Sequence, residues 1–235
     1  MPLFVPPDVQ RIFFRRMDAE ALIQSDFTNV FSVAEGVQAI SAAGGGLTGT
    51  SIPFVNGHPG IWNIFTGAAS AAGRTFVLSR TNSFMVGVGG VTKFESWVEL
   101  PVLSTVAQRF TARTGFFSIA LPNIILSGIG FEYNDAENGG RWQAITDDGG
   151  ETSTDTGILV EAFRWYKLSF VVNADGTEVQ FFINDILVAT NTTNLPTGIG
   201  FAHFVNMHVM KLIGLGTRSF LLDAYAVFQE TGGRE

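Results

Sequence analysis

The chain has 235 residues, of which 46% are hydrophobic and only 15% charged, and it carries a formal net charge of −7. Without cysteine it can form no disulfide, no thiolate metal site and no cysteine nucleophile, and its sparse, outnumbered Lys and Arg do not form the clustered basic surface that nucleic-acid binding requires. This length suits a single β-sandwich domain, and so few charges imply a surface partly covered in a larger assembly.

The first 26 residues differ from the rest. Asp8 can cap a first turn, and Val9, Ile12, Phe13, Arg16 and Met17 recur at helical spacing before Ala19, Glu20, Ala21 and Leu22. We therefore expect an N-terminal arm over residues 1–26 containing one short amphipathic helix. Its side chains Phe4, Arg11, Phe13, Phe14, Arg15 and Arg16 are candidates for contacts with a neighbouring subunit. The opening Pro2-Leu3-Phe4-Val5-Pro6-Pro7 lacks the basic region and apolar core of a signal peptide. The longest uncharged runs are broken by Gly, Pro, Ser and Asn, so no membrane helix is expected.

From residue 27 onward the period becomes two. Residues 26–41 alternate enough for strands, and the Gly-rich stretch 44–60 reads as a loop or a weakly paired edge; it lacks the Lys and following helix of a phosphate-binding loop. Strand candidates follow at 61–66, 74–79, 84–88 and 93–100. On the last of these Glu95 and Glu99 are read as solvent-facing, being too far apart along a strand to act as a catalytic pair. Further candidates are 110–119, 129–133 and 141–146, separated by two acidic turns at 134–140 and 147–151. Eight acids fall between Glu132 and Glu161 against one base, Arg141, and the remainder of the chain is neutral. Calcium would need six to eight oxygen ligands at defined spacing, which these loops lack, so no metal or other cofactor is expected.

Residues 165–190 carry the clearest pattern. Leu168, Phe170 and Val172, then Val179, Phe181 and Ile183, alternate with polar or outward residues, and Asn173-Ala174-Asp175-Gly176 and Asn184-Asp185 supply the reversals of a three-strand meander. Strands at 201–213 and 219–229 close the chain. His203 and His208, five apart, would face opposite sides of a strand and are poor joint ligands. No Gly-x-Ser-x-Gly elbow is present.

The strings FESWVELP, GFEYNDAENGGRWQAIT, TDTGILV and WYKLSFVVNADGTEVQFFINDILVAT, with Asn194-Leu195-Pro196-Thr197-Gly198, resemble a family of phage structural modules with a concanavalin-A-like lectin/glucanase jelly roll. The resemblance covers residues 94–197. Where that family turns on Asn-Gly this chain has Asn184-Asp185, so an Asp must adopt a left-handed backbone. The string from Glu132 to Glu137 departs from the Glu-x-Asp-x-x-Glu pattern of sugar hydrolases in the wider fold.

The expectation is thus an all-β jelly-roll sandwich of two antiparallel sheets over 27–235, preceded by the arm. The resemblance implies a non-enzymatic virion structural protein, a capsid decoration or cement protein of a tailed phage. Such a protein would be made in the host cytoplasm, form a homotrimer on the capsid surface and bind the major capsid protein or other virion proteins. The alternative is a carbohydrate-binding module of a fibre or tailspike, with Trp142, Tyr133 and Trp62 as stacking platforms for a glycan. An enzyme working through Glu132 ranks third.

Overall fold

The meander forms as its alternation dictates. In the computed structural model, which describes residues 38–42, 50–52, 61–68, 73–77, 86–87, 89–120, 124–197 and 204–229, Trp165–Val172, Val179–Ile183 and Ile186–Asn191 are consecutive antiparallel strands. Asn173 closes the first reversal by accepting the backbone N–H groups of Thr177 and Glu178 on its Oδ1 at 2.8 and 3.1 Å. At the second, Asn184 and Asp185 both take positive φ, 52° and 66°. The left-handed Asp is held by its carboxylate, which accepts a hydrogen bond from Lys167 Nζ at 2.8 Å, while Asn184 Oδ1 accepts the N–H of Lys167.

Fourteen strands are described. Before the meander run β1 (Gln38–Ala42), β2 (Thr50–Ile52), β3 (Ile61–Phe65), β4 (Gly73–Val77), β5 (Thr92–Glu99), β6 (Arg109–Ala120), β7 (Ile124–Asn134), β8 (Arg141–Asp148) and β9 (Glu151–Leu159). The meander is β10 to β12, and β13 (Phe204–Ile213) and β14 (Ser219–Gln229) end the chain. They form two seven-stranded antiparallel sheets, one in the order β1-β4-β13-β6-β7-β8-β9 and the other β12-β11-β10-β5-β14-β3-β2. This is the expected all-β sandwich. The arm over residues 1–26, with Phe4, Arg11, Phe13, Phe14, Arg15 and Arg16, lies outside the described residues.

The sheets meet through rings. Phe170 of one sheet stacks on Phe94 beside it, at 5.1 Å, and receives the edge of Phe116 from the other sheet at the same distance. Phe181 continues the series to Phe131, and Tyr133, Trp142 and Tyr166 extend it toward the far end of the sandwich. Offset and edge-on contacts of this kind each add about 0.5–1.5 kcal/mol beyond the area they bury.

Along one flank the closure is polar instead. Asn191 of β12 donates from Nδ2 to Ala144 O at 3.3 Å and Thr146 Oγ1 at 3.2 Å, and its Oδ1 accepts from Thr154 at 2.8 Å. Thr152 pairs with Thr193, and Thr156 donates to Trp142 O at 2.6 Å.

Several elements depart from expectation. Residues 151–159, among which no strand is expected from the sequence, are β9, the edge strand among those described; its inward positions are the threonines just named, so no apolar alternation announces it. Val86 and Gly87 lie in a bend rather than in a strand over 84–88. Within the Gly-rich stretch, Thr50–Ile52 pairs with β3 at the rim of its sheet, in keeping with the weakly paired edge that is one of the two expectations there. Glu99 is buried, 8% exposed, rather than solvent-facing.

Because Phe170 touches rings of both sheets, Phe170→Ala should cost about 3–5 kcal/mol, measurable as a lowered urea midpoint. Asn191→Ala, which leaves polar groups of two strands unpaired, should cost about 1–3 kcal/mol in the same experiment.

Candidate functional site

The inner faces are filled, so chemistry must reside on an outer face, an edge or an end. On β6 the side chains of Phe110, Ala112 and Phe116 enter the core, which sends Arg113 and Phe117 to the opposite face; on β7 Ile129, Phe131 and Tyr133 do the same and leave Glu132 outside. The registers then align a polar row. His208 of β13 lies opposite Arg113, Arg113 opposite Glu132, Glu132 opposite Gln143 of β8, and Gln143 opposite Asp155 of β9.

The row is held by charge. Arg113 donates from Nε to Glu132 and from Nη2 to Glu151 Oε2 at 2.9 Å, so one guanidinium serves two carboxylates. β7 and β8 lie between Arg113 and Glu151, about 14 Å across a flat sheet, and Glu151 is also offset along its strand. The ion pair therefore requires the sheet to curl toward this outer side. Glycines clear the curve: Gly128 and Gly130 leave no room for a Cβ because the Phe117 ring lies against them.

The row runs from a buried centre to an exposed rim. Glu132 and Gln143 are at most 1% exposed and His208 is 5% exposed. At the rim Asn138 donates from Nδ2 to Gln143 Oε1 at 2.8 Å, and Gln143 Nε2 donates to Arg141 O at 3.0 Å. Arg141 Nη1 meets Asp155 Oδ2 at 3.4 Å, while Ser153 Oγ donates to Glu137 Oε2 at 3.4 Å. Asn138, Arg141, Ser153 and Asp155 are exposed, so this rim presents donors and acceptors whose orientation is fixed from beneath.

Burial shifts the centre. It raises the Glu132 carboxyl above the usual carboxylate range even though Arg113 opposes the shift, and it raises Asp147 with the help of Glu151. His208 is pushed down to about 4 by burial and then by the Arg113 guanidinium, and its Nδ1 has no hydrogen-bond partner. The row thus combines a neutral imidazole, a cation and two carboxylates.

The residues singled out from sequence fall elsewhere. Trp142 and Tyr133 are 0% and 2% exposed, their rings edge-on to each other at 6.5 Å, and the Tyr133 hydroxyl accepts the N–H of Ser104 at 2.9 Å. Trp62 packs against the same core. As stacking platforms for a sugar the first two are corrected: their faces are spent between the sheets. Glu132 does belong to the row, whereas Arg113, Gln143 and His208 escaped notice as site residues because cross-strand neighbours far apart in sequence leave no local motif. Among the described residues no group of three or more His, Asp or Glu is arranged to hold a metal ion, and no helix is long and apolar enough to cross a membrane.

Comparison with known proteins gives the fold a context. The model of the family described as SO2946-like, C-terminal domain, matches residues 57–223. The crystal structure of SO2946, a protein of unknown function from Shewanella oneidensis MR-1, superimposes with a TM-score of 0.59 at 13% identity, covering 97% of this chain and 95% of that one. The potassium-bound carbohydrate recognition domain of Emp46p gives 0.56 at 8% identity over 86% and 94%. A sialidase gives 0.51 at 10% identity, with 86% of this chain matching 18% of the enzyme. No curated protein matches in sequence. These neighbours make the sandwich a concanavalin-A-like jelly roll.

His208 sets an expected pH response. Its pKa is about 4 in the folded chain against 6.5 for the unperturbed group. Between those values the unfolded chain binds more protons, so stability falls as pH drops through the window, by up to about 3 kcal/mol from this residue. Urea unfolding of His208→Gln should show a shallower loss between pH 7 and about pH 5 than the wild type.

Proposed function

The chain belongs to the SO2946-like, C-terminal domain family, and from that starting point we propose that it is a non-enzymatic, lectin-like module that binds a neutral saccharide at the β8–β9 rim. The observation that carries this reading is the set of exposed polar side chains Asn138, Arg141, Ser153 and Asp155: Asn138 and Ser153 hydrogen-bond Gln143 of the row beneath, and Arg141 is held by the Asn138 carbonyl and by Asp155. A sugar's vicinal hydroxyls are recognised by such fixed donors and acceptors, and holding them in place before binding lowers the entropy lost on association. The rim lies within the acidic part of the chain, which disfavours anionic sugars. Similarity in fold to the Emp46p carbohydrate recognition domain supports the same class.

A second reading draws on a different feature. Val106, Phe163, Ile186 and Leu215 are 94%, 74%, 67% and 67% exposed, and all lie in or beside connections at the end of the sandwich where β5 finishes. With so few charges overall, an apolar end suits a structural protein built into a larger body, for which a virion and a homo-oligomer are the setting proposed from the sequence.

On a glycan array the full chain should retain neutral saccharides, and Asp155→Ala or Arg141→Ala should weaken that binding at least tenfold with an unchanged melting temperature. An array without a neutral hit would overturn the saccharide reading. For the structural reading, Phe163→Ser should reduce self-association in sedimentation experiments; a wild-type chain that stays monomeric and does not bind purified virion proteins would count against it.

A further inference from the structure

The space between the two sheets ends, beyond the ring of Phe110, in two cations. Lys211 follows Val205, Met207 and Val209 on the inward side of β13 and lies opposite Phe110. It is 1% exposed, and its Nζ has no hydrogen-bond partner. Arg218 precedes β14 by one residue and stands two before the buried Phe220, so it too points inward; its guanidinium lies 5.9 Å from the centroid of the Phe110 ring. Arg218 is 9% exposed and its Nε has no partner, while Nη1 donates only to the neighbouring Thr217 carbonyl at 3.2 Å. Neither residue forms an ion pair with any described carboxylate.

Both cations sit on a fixed frame. Arg218 is locked to Thr66 twice, Arg218 N donating to Thr66 Oγ1 at 3.0 Å and Thr66 N donating to Arg218 O at 2.9 Å. The β13–β14 connection is pinned by Gly216 N donating to Gln108 Oε1 at 2.8 Å. Gly214, at φ 98°, has Gln108 Oε1 2.4 Å from where a Cβ would sit, so no larger residue fits beneath that side chain.

Two like charges withdrawn from water without a counter-charge are costly. Burial and the charge of Arg218 together lower the Lys211 pKa, which marks the same imbalance. We propose that this intersheet mouth is a binding site for one carboxylate or oxyanion group, gripped between Lys211 of one sheet and Arg218 at the entry to the other. The group bound is planar or tetrahedral, small enough to stand above Phe110, and carries at least one negative charge. A free inorganic oxyanion and the carboxylate of a sugar acid share this chemistry. The site is separate from the β8–β9 rim and does not depend on the saccharide reading.

The test uses the full chain with inorganic phosphate, acetate and glucuronate as separate probes at constant ionic strength, followed by calorimetric titration and thermal melting. At least one probe should bind, and it should raise the wild-type midpoint by about 3–5 °C at about ten times its Kd. Phosphate alone would identify an inorganic oxyanion. Acetate with glucuronate would identify a carboxylate, and glucuronate at least tenfold tighter than acetate would assign it to a sugar acid. Lys211→Met should abolish the response while melting no lower than the wild type in anion-free buffer, since it removes an unpaired charge but keeps the length of the chain. Arg218→Gln should weaken binding at least tenfold and provides the check if Lys211→Met does not fold. No response of the wild type to any probe, or an equal response in the folded variants, would overturn the proposal.

Discussion

The fold depends on the meeting of Phe170 with Phe94 and Phe116. A ring that stacks on its own sheet and receives an edge from the other fixes how far apart the two sheets stand and how they are registered across the gap. The remaining ring contacts between and within the sheets, Phe181 with Phe131 and Tyr133 with Trp142, fit the same spacing. The buried rings Phe94, Phe110, Phe116, Phe131, Phe170, Phe181 and Phe220 account for part of the Phe-rich composition, and the interior also takes up Trp142.

With the interior occupied by rings, the polar residues that remain are sorted by geometry. One group crosses the curled outer face, where Arg113 lies between Glu132 and Glu151 and a neutral His208 flanks it. A second seals the flank through Asn191 and the threonines of β9. A third pair, Lys211 and Arg218, stands at the end of the inner space with no acid among the described residues to meet it. The first two groups are internally compensated and the third is not. That contrast separates what holds the sandwich together from what is left for an outside partner, and it places an acidic rim and a cationic mouth in different parts of one small domain.

The sequence made some of this legible. The alternation of Leu168, Phe170 and Val172 and the turn residues Asn173, Gly176, Asn184 and Asp185 declared the meander, because each strand buries one face and each reversal uses residues that tolerate positive φ. β9 was hidden because its inward face is threonine, bonded to Asn191 and Thr193 instead of packed on hydrocarbon. The polar row was hidden for another reason. His208, Arg113, Glu132, Gln143 and Asp155 are brought into line by five different strands, and a register of that kind cannot be read from any window of the chain. Glu99 misled because a carboxylate on an alternating strand reads as solvent-facing until the neighbouring strands are placed.

β9 also has a consequence for how copies of the protein coexist. It is the last described strand of its sheet, and among the described residues one of its sides has no neighbouring strand. A bare border of that sort invites strand-by-strand accretion of further chains into insoluble material. Here Glu151 and Asp155 project from it at alternating positions, and the register slip between Arg141 and Gln143 bends the adjoining ladder. An incoming copy would have to pair along a crooked line flanked by ion-paired, water-facing carboxylates, which disfavours polymerisation of a chain poor in solubilising groups through this border.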